Sequence, residues 1–230
     1  MNAVISKIRN ILLPWDYDEY ITIQFIFCMT LKPLLLPITI RTATEAELPK
    51  TEALLERVRL RKDALLVNGF SFTNTEENGS PYNFYSEINI DNPFLWALIK
   101  RLIMDFPDDV CLVFNHIDAD PLYSKYADKF EILNKLDKYQ QELSMDGFLE
   151  FGLMFQDDEI LLELFIKKAK YIQFWGIDEV VFRIAMQEFN LTEVPSINFI
   201  DEYPLVTEGL ALYRPDLIET AEMLKVLEGI

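Results

Sequence analysis

Apolar and polar positions alternate along the chain in short periods, which predicts many short helices and strands rather than a few long ones. Runs rich in β-branched and aromatic residues predict strands at 20–29, 34–42, 69–74, 82–90, 110–115, 148–155, 171–175 and 197–200. Apolar residues at helical spacing predict helices at 2–13, 44–61, 92–106, 126–143, 157–168, 178–189 and 215–227.

The ends of several elements carry recognisable signals. Asn92 at the cap position followed by Pro93 is the clearest helix start in the chain. Thr44 is placed to cap the helix that follows it. The dipeptide Asn78-Gly79 is typical of a turn, so the strands on either side of it are expected to form a hairpin with a longer loop.

The last third of the chain alternates strands with helices, a pattern typical of crossover units and parallel pairing. The first half carries hairpin-like neighbours instead. The sequence therefore predicts an α+β fold: mixed sheets with flanking helices, an antiparallel-rich N-terminal half and a βαβ-like C-terminal half. Residues 1–230 are expected to form a single mixed domain, and 117–130 is the only candidate boundary within it.

The chain carries its negative charge unevenly. Its 38 acidic and 21 basic residues give a formal net charge of −17. Residues 1–114 hold 15 acids and 11 bases, whereas residues 115–230 hold 23 acids and 10 bases. Such a field repels nucleic acid and anionic membranes and attracts cationic partners. We therefore expect no nucleic-acid binding, even at the basic cluster of Arg57, Arg59, Arg61 and Lys62.

Composition excludes several classes of protein. Half of the residues are apolar, which excludes disorder for most of the chain. No apolar run is long enough to span a membrane, and the N-terminus lacks the pattern of a secretion signal. Cys28 and Cys111 both lie in apolar runs and are expected to be buried free thiols, which indicates a reducing, cytoplasmic location. Known phosphate-loop, dinucleotide and hydrolase motifs are absent from the sequence, so no cofactor is expected.

Seven carboxylates are the first candidate site. If the C-terminal strands are parallel, the helix starts at 157 and 178 and the strand end at 200 meet at one edge of the sheet. The residues of this predicted rim are Asp157, Asp158, Glu159, Asp178, Glu179, Asp201 and Glu202. Tyr203, directly after them, would suit an interface if it is exposed, although a packed turn tyrosine fits the same pattern. Capping and ordinary surface charge are the alternative interpretation of the acids.

The segment Asn115–Asp120 is the second candidate, since it follows a predicted buried strand. His116 with Asp118 and Asp120 could hold a divalent cation or act as a base held by an acid. The same residues also fit an ordinary loop in which Asp120-Pro121 opens the next element. His116 is the only histidine, so no histidine pair or triad can be built.

The resulting hypothesis is a non-enzymatic acidic protein that binds a basic protein partner by electrostatic complementarity. In charge and size, though not in sequence, it is similar to immunity proteins that inhibit cationic toxin nucleases. The alternatives are a metal-assisted hydrolase built on Asn115–Asp120 and an oligomerising scaffold. The amino-acid sequence does not predict an oligomeric state.

Overall fold

The computed structural model describes residues 32–76 and 79–230. The helix predicted at 2–13, the strand predicted at 20–29, Cys28 and Asn78 lie outside the described residues. Residues 33–230 form one compact unit that runs through 117–130.

Within the described residues, the chain forms ten strands and six α-helices. The strands are β1 (Ile40–Thr42), β2 (Gly69–Asn74), β3 (Phe84–Asn89), β4 (Asp109–His116), β5 (Leu122–Tyr123), β6 (Ala127–Asp128), β7 (Leu149–Gln156), β8 (Leu161–Ile166), β9 (Ile172–Gly176) and β10 (Leu205–Thr207). The helices are α1 (Glu52–Leu60), α2 (Asn92–Ile103), α3 (Lys129–Leu136), α4 (Gln140–Met145), α5 (Glu179–Glu188) and α6 (Thr220–Glu228). The predicted α+β class is confirmed.

An eight-stranded sheet organises the fold, with strands in the order β2-β3-β9-β8-β7-β4-β5 and β6 paired to β4. All its strand pairings are antiparallel. β1 and β10 form a separate antiparallel pair. The parallel, βαβ-like pairing expected in the C-terminal half is therefore wrong.

The failed prediction has a local cause at 157–168. Three acids before an apolar run are typical of a helix start, but residues 161–166 form β8. The Asp157 carboxylate accepts hydrogen bonds from the backbone N–H groups of Glu159 and Ile160, both at 2.8 Å, which closes a tight turn. β7 and β8 thus become a hairpin and need no crossover helix.

Alternating side chains place one face of the sheet against the helices. Leu112, Phe151, Leu164 and Phe174 share this face with Ile88, and all five are buried. From the helices, the core receives the predicted stripe of α2, which is Leu95, Leu98, Ile99, Leu102 and Ile103. The charged surface of the protein thus covers a large apolar core.

Other boundaries differ from the predicted ones for identifiable reasons. The first described helix begins at Glu52 instead of Thr44, because Glu47 accepts bonds from the Thr44 N–H and hydroxyl and Pro49 follows. The strand predicted at 197–200 is irregular and ends in a 3₁₀ turn at Ile200–Glu202. The final helix begins at Thr220 rather than Pro215.

Candidate functional site

Six strands of the large sheet have one end in common. Because neighbouring strands run antiparallel, β2, β7 and β9 finish where β3, β4 and β8 begin. The paired residues at or near this end are Asn74 with Phe84, Phe84 with Gly176, Glu163 with Trp175, Gln156 with Leu161, and Cys111 with Met154. The connecting segments at this end are 75–83, 104–108, 157–160 and 177–178.

These segments and the residues that flank them carry acids and neither lysine nor arginine. We call the described acids at this end of the sheet the acidic end: Glu76, Asp105, Asp108, Asp109, Asp157, Asp158, Glu159, Asp178 and Glu179. The opposite end of the sheet holds the β8–β9 turn with Lys167, Lys168 and Lys170. Because Asp118 and Asp120 also lie at this opposite end, lysines and acids are mixed there, whereas only acids occupy the connecting segments of the acidic end.

Two of these carboxylates are neutralised by arginine. The Arg101 guanidinium lies 2.6 Å from Asp105, and Arg183 lies 2.6 Å from Glu179. The other seven carboxylates form no ion pair within the described residues, 32–76 and 79–230. The Lys129 ammonium also reaches this end, where it donates to the Met104 and Phe106 carbonyls. The acidic end thus keeps a net negative charge but is not free of cations.

Two further acids have structural roles as well as charge. Asp178 caps α5 by accepting from the Val181 N–H at 3.0 Å. Asp157 closes the β7–β8 turn, and the backbone N–H groups of Ile160 and Glu159 hold the pKa of its carboxyl below its usual range. Asp158 and Glu159 beside it are exposed. These two are the best positions for changing the charge without changing the fold.

Asp157→Ala should destabilise the protein, whereas Asp158→Ala should not. Removing the acceptor leaves two turn N–H groups without their partner, which we expect to lower the thermal midpoint by about 2–4 °C. Circular dichroism melting of both variants measures the difference. Equal melting temperatures for the two variants would show that the turn does not depend on this carboxylate.

The structure divides the predicted rim. Asp157, Asp158, Glu159, Asp178 and Glu179 lie at the acidic end, although antiparallel hairpins and not parallel strands bring them there. Sequence reasoning missed Glu76, Asp105, Asp108 and Asp109. The acidic pair directly before the buried β4 was the signal that could have revealed the last two.

Asp201, Glu202 and Tyr203 do not belong to this end. Asp201 accepts from the Tyr171 hydroxyl at 3.4 Å, and Tyr171 lies in the β8–β9 turn at the opposite end. Burial raises the pKa of the Asp201 carboxyl. Glu202 bonds the Phe199 N–H at 2.7 Å and so closes its own turn.

Tyr203 is buried, with 8 % of its surface exposed. The packed interpretation of this tyrosine is therefore confirmed, and an exposed interface role at Tyr203 is wrong. No described residue of the 201–203 segment presents a free side chain next to the acidic end.

A small cavity of about 90 Å³ adjoins the acidic end. Asp105 and Asp178 stand among otherwise apolar walls. These walls come from α2, α5, β8, β9 and the connecting segments 104–108 and 177–178: Leu102, Phe106, Leu162, Phe174, Ile177, Val181 and Phe182. An apolar recess bordered by carboxylates is chemically suited to a side chain with an aliphatic stem and a cationic tip.

His116 lies at the opposite end of the sheet, in an open groove of about 500 Å³. Its Nδ1 accepts from the Asp118 N–H at 3.3 Å, and its ring stacks on Phe148 with centroids 6.0 Å apart. The contact to Asp118 involves the backbone and not the carboxylate. Within 32–76 and 79–230, no group of three or more His, Cys, Asp or Glu side chains could hold a metal ion. His116, Asp118 and Asp120 therefore do not form the metal site of the hydrolase hypothesis.

Cys111 is a buried free thiol, as predicted, and burial raises its pKa. Among the described helices none has the length and apolar character needed to cross a membrane.

Comparisons with protein families, curated proteins and solved structures find no match to this chain.

Proposed function

We propose that this protein is a non-enzymatic interaction protein that binds a basic protein partner through its acidic end. One observation carries the proposal: the connecting segments at six neighbouring strand ends carry seven described acids, or nine with the flanking Asp109 and Glu179, and no lysine or arginine. Only two of the nine are ion-paired within the described part of the chain. The distribution of charge, and not merely its total, supports a directed interaction.

Such a surface acts first on the rate of encounter. Carboxylates gathered over one end of a sheet add their fields, and a cationic partner is drawn toward that end before any contact forms. Screening over a Debye length of about 8–10 Å at physiological ionic strength weakens this attraction. Affinity should therefore fall with added salt, mainly through the association rate.

Immunity or inhibitor proteins that neutralise a cationic toxin are the kind of molecule proposed. This rests on charge and size. A cytoplasmic location forms part of the proposal and is supported by the buried, reduced Cys111. The same field that attracts a basic protein opposes nucleic acid, so the proposal includes no nucleic-acid partner.

The test compares two charge reversals that change the net charge equally. Asp158→Lys/Glu159→Lys alters exposed turn residues at the acidic end, and Asp118→Lys/Asp120→Lys alters exposed loop residues at the opposite end. The probe is a fluorescent peptide of alternating lysine and glycine. Stopped-flow mixing at low salt should show the association rate constant falling by roughly tenfold for the first variant and less than twofold for the second.

The wild-type rate should also fall as salt increases, and the first variant should have the smaller salt dependence. Equal rate constants for the two variants would mean that only total charge matters, and the proposal would then be wrong. Circular dichroism of both variants checks that each remains folded.

A further inference from the structure

The cavity of about 90 Å³ at the acidic end, which we call the recess, lies where the end of α2 and the start of α5 meet. Phe106, Phe174 and Phe182 are buried and form its floor. Asp105 and Asp178 are exposed and stand at its rim. A group that enters the recess therefore meets apolar surface and carboxylates together.

Neither rim carboxylate is fully engaged within the protein. One oxygen of Asp105 accepts from the Arg101 guanidinium at 2.6 Å. One oxygen of Asp178 accepts from the Val181 N–H at 3.0 Å. The second oxygen of each carboxylate accepts no hydrogen bond from the part of the chain that the structure describes. Two acceptors on separate elements are thus left for a ligand.

The charge around the recess stays negative although two cations are near. Arg101 also lies 2.6 Å from Glu188, so its single positive charge is shared between two carboxylates. Lys129 adds a second cation where its ammonium donates to carbonyls at the end of α2. Asp105, Asp178 and Glu188 together exceed these two cations by one charge. A cationic ligand is therefore favoured over an anionic one.

A lysine side chain fits both the floor and the rim. The recess holds several water-sized groups at about 10–15 Å³ each, which is enough for the stem of a lysine. Lysine stems pack along apolar surfaces while the ammonium stays hydrated. A guanidinium binds best to a carboxylate with both oxygens free, whereas an ammonium can donate to one oxygen of Asp105 and one of Asp178.

We infer that the recess takes a lysine side chain of the basic partner, with its stem on the apolar floor and its ammonium at Asp105 and Asp178. This inference rests on the proposed function, since the acidic end brings the partner to this surface. It adds a specificity element that charge alone lacks. A cationic side chain too short to cover the floor should bind more weakly than lysine.

The experiment uses the full chain and three fluorescent peptides. All three alternate glycine with 2,4-diaminobutyrate, which carries the charge of lysine on a side chain shorter by two methylenes. The central residue is diaminobutyrate, lysine or norleucine, and norleucine has an aliphatic stem without the ammonium. Fluorescence anisotropy at low salt and mildly acidic pH should show the lysine peptide binding roughly three- to tenfold more tightly than the other two.

Two variants of α5 test the floor of the recess. Val181 lines the recess, so Val181→Phe should narrow it and remove the advantage of lysine over diaminobutyrate. Val180 is its exposed neighbour outside the recess, so Val180→Phe should keep that advantage. Melting temperatures of both variants check that each remains folded.

Two double variants test the rim and stay decisive if Val181→Phe does not fold. Asp105→Asn/Asp178→Asn should remove the advantage of lysine over norleucine, and asparagine at 178 still caps α5. Asp158→Asn/Glu159→Gln removes the same charge elsewhere on the acidic end and should keep that advantage.

The outcomes separate the two proposals. If lysine has no advantage over diaminobutyrate, or keeps it in Val181→Phe, the recess is not a lysine site and the acidic end still stands. If the norleucine peptide binds as tightly as the lysine peptide, the occupant is apolar and the inference is overturned. A dimer in light scattering that Asp105→Asn/Asp178→Asn dissociates would overturn it in favour of a second copy. If no peptide responds to Asp158→Lys/Glu159→Lys, the proposed function itself fails.

Discussion

Replacing Phe182 by alanine is expected to lower the free energy of unfolding by about 3–5 kcal/mol. Phe182 projects from α5 into the face of the sheet and is 2 % exposed. Its ring centroid lies 5.3 Å from Phe70, 5.0 Å from Phe84 and 5.4 Å from Phe174. Removing the ring would leave a cavity that three rigid neighbours cannot close, and the residual void adds to the lost transfer free energy.

Val180→Ala is the matched control on the same helix. Val180 is 69 % exposed, so its truncation should change the free energy of unfolding by less than about 0.5 kcal/mol. Urea denaturation followed by tryptophan fluorescence measures both variants. A loss below about 1 kcal/mol for Phe182→Ala would contradict the packing described for α5.

The second large effect is a rise in stability with pH between about 8 and 10. Lys170 is 3 % exposed in the β8–β9 turn, and its Nζ donates to the Leu149 carbonyl at 2.8 Å. Burial lowers the pKa of this ammonium from 10.5 to about 8, although Asp146 and Glu150 nearby act in the opposite direction. The folded state therefore releases the Lys170 proton at a lower pH than the unfolded chain does.

The sign follows from proton binding. Between pH 8 and 10.5 the unfolded chain binds more protons at this residue, so raising the pH favours the folded state. The difference in pKa corresponds to about 3 kcal/mol, present as a penalty below pH 8 and relieved above it. Above pH 10 the trend reverses, because burial raises the pKa of Tyr85 and Tyr171 and keeps them neutral while the unfolded tyrosines ionise.

Lys170→Met should abolish the rise and keep the fall above pH 10. Lys168→Met, in the same turn but half-buried, should keep both. Chemical denaturation at a series of pH values measures the profiles. A wild-type profile that is flat or falls between pH 8 and 10 would contradict the assignment of a buried, proton-releasing ammonium to Lys170.

Local signals in the sequence placed some elements correctly, although the helix starts predicted at Thr44 and Pro215 were wrong. Pro93 and the apolar stripe after it correctly placed α2, but the residue at its N-cap is Asp91 and not the predicted Asn92. Asp178 correctly placed the cap of α5. Neither depends on distant parts of the chain. Apolar strands such as β4 were equally clear, because a short apolar run flanked by turn residues has few alternative conformations.

The segment 157–168 shows where local signals fail. The Asp157 carboxylate accepts from turn N–H groups in the same way that a helix cap would. Leu161–Ile166 is apolar at every position except Glu163. Only pairing with β7 and β9 makes this segment a strand. As a result these strands run antiparallel, whereas the sequence pattern predicted parallel pairing. Tertiary pairing overrides local preference here.

The candidate site was predicted in part and for an incorrect reason. Asp158 and Glu159 do lie near Asp178, but hairpins bring them together, and the same hairpins leave Asp201 at the opposite end.

Mapping where a cationic probe contacts the surface tests the central claim most directly. Titrating nitrogen-15-labelled protein with the lysine–glycine peptide should shift the backbone amide signals of Glu76, Asp109, Asp158 and Asp178. Signals around Asp118 and Asp120, two exposed carboxylates at the other end of the sheet, should stay in place. Shifts of similar size at both ends, or confined to the His116 loop, would contradict a directed electrostatic surface.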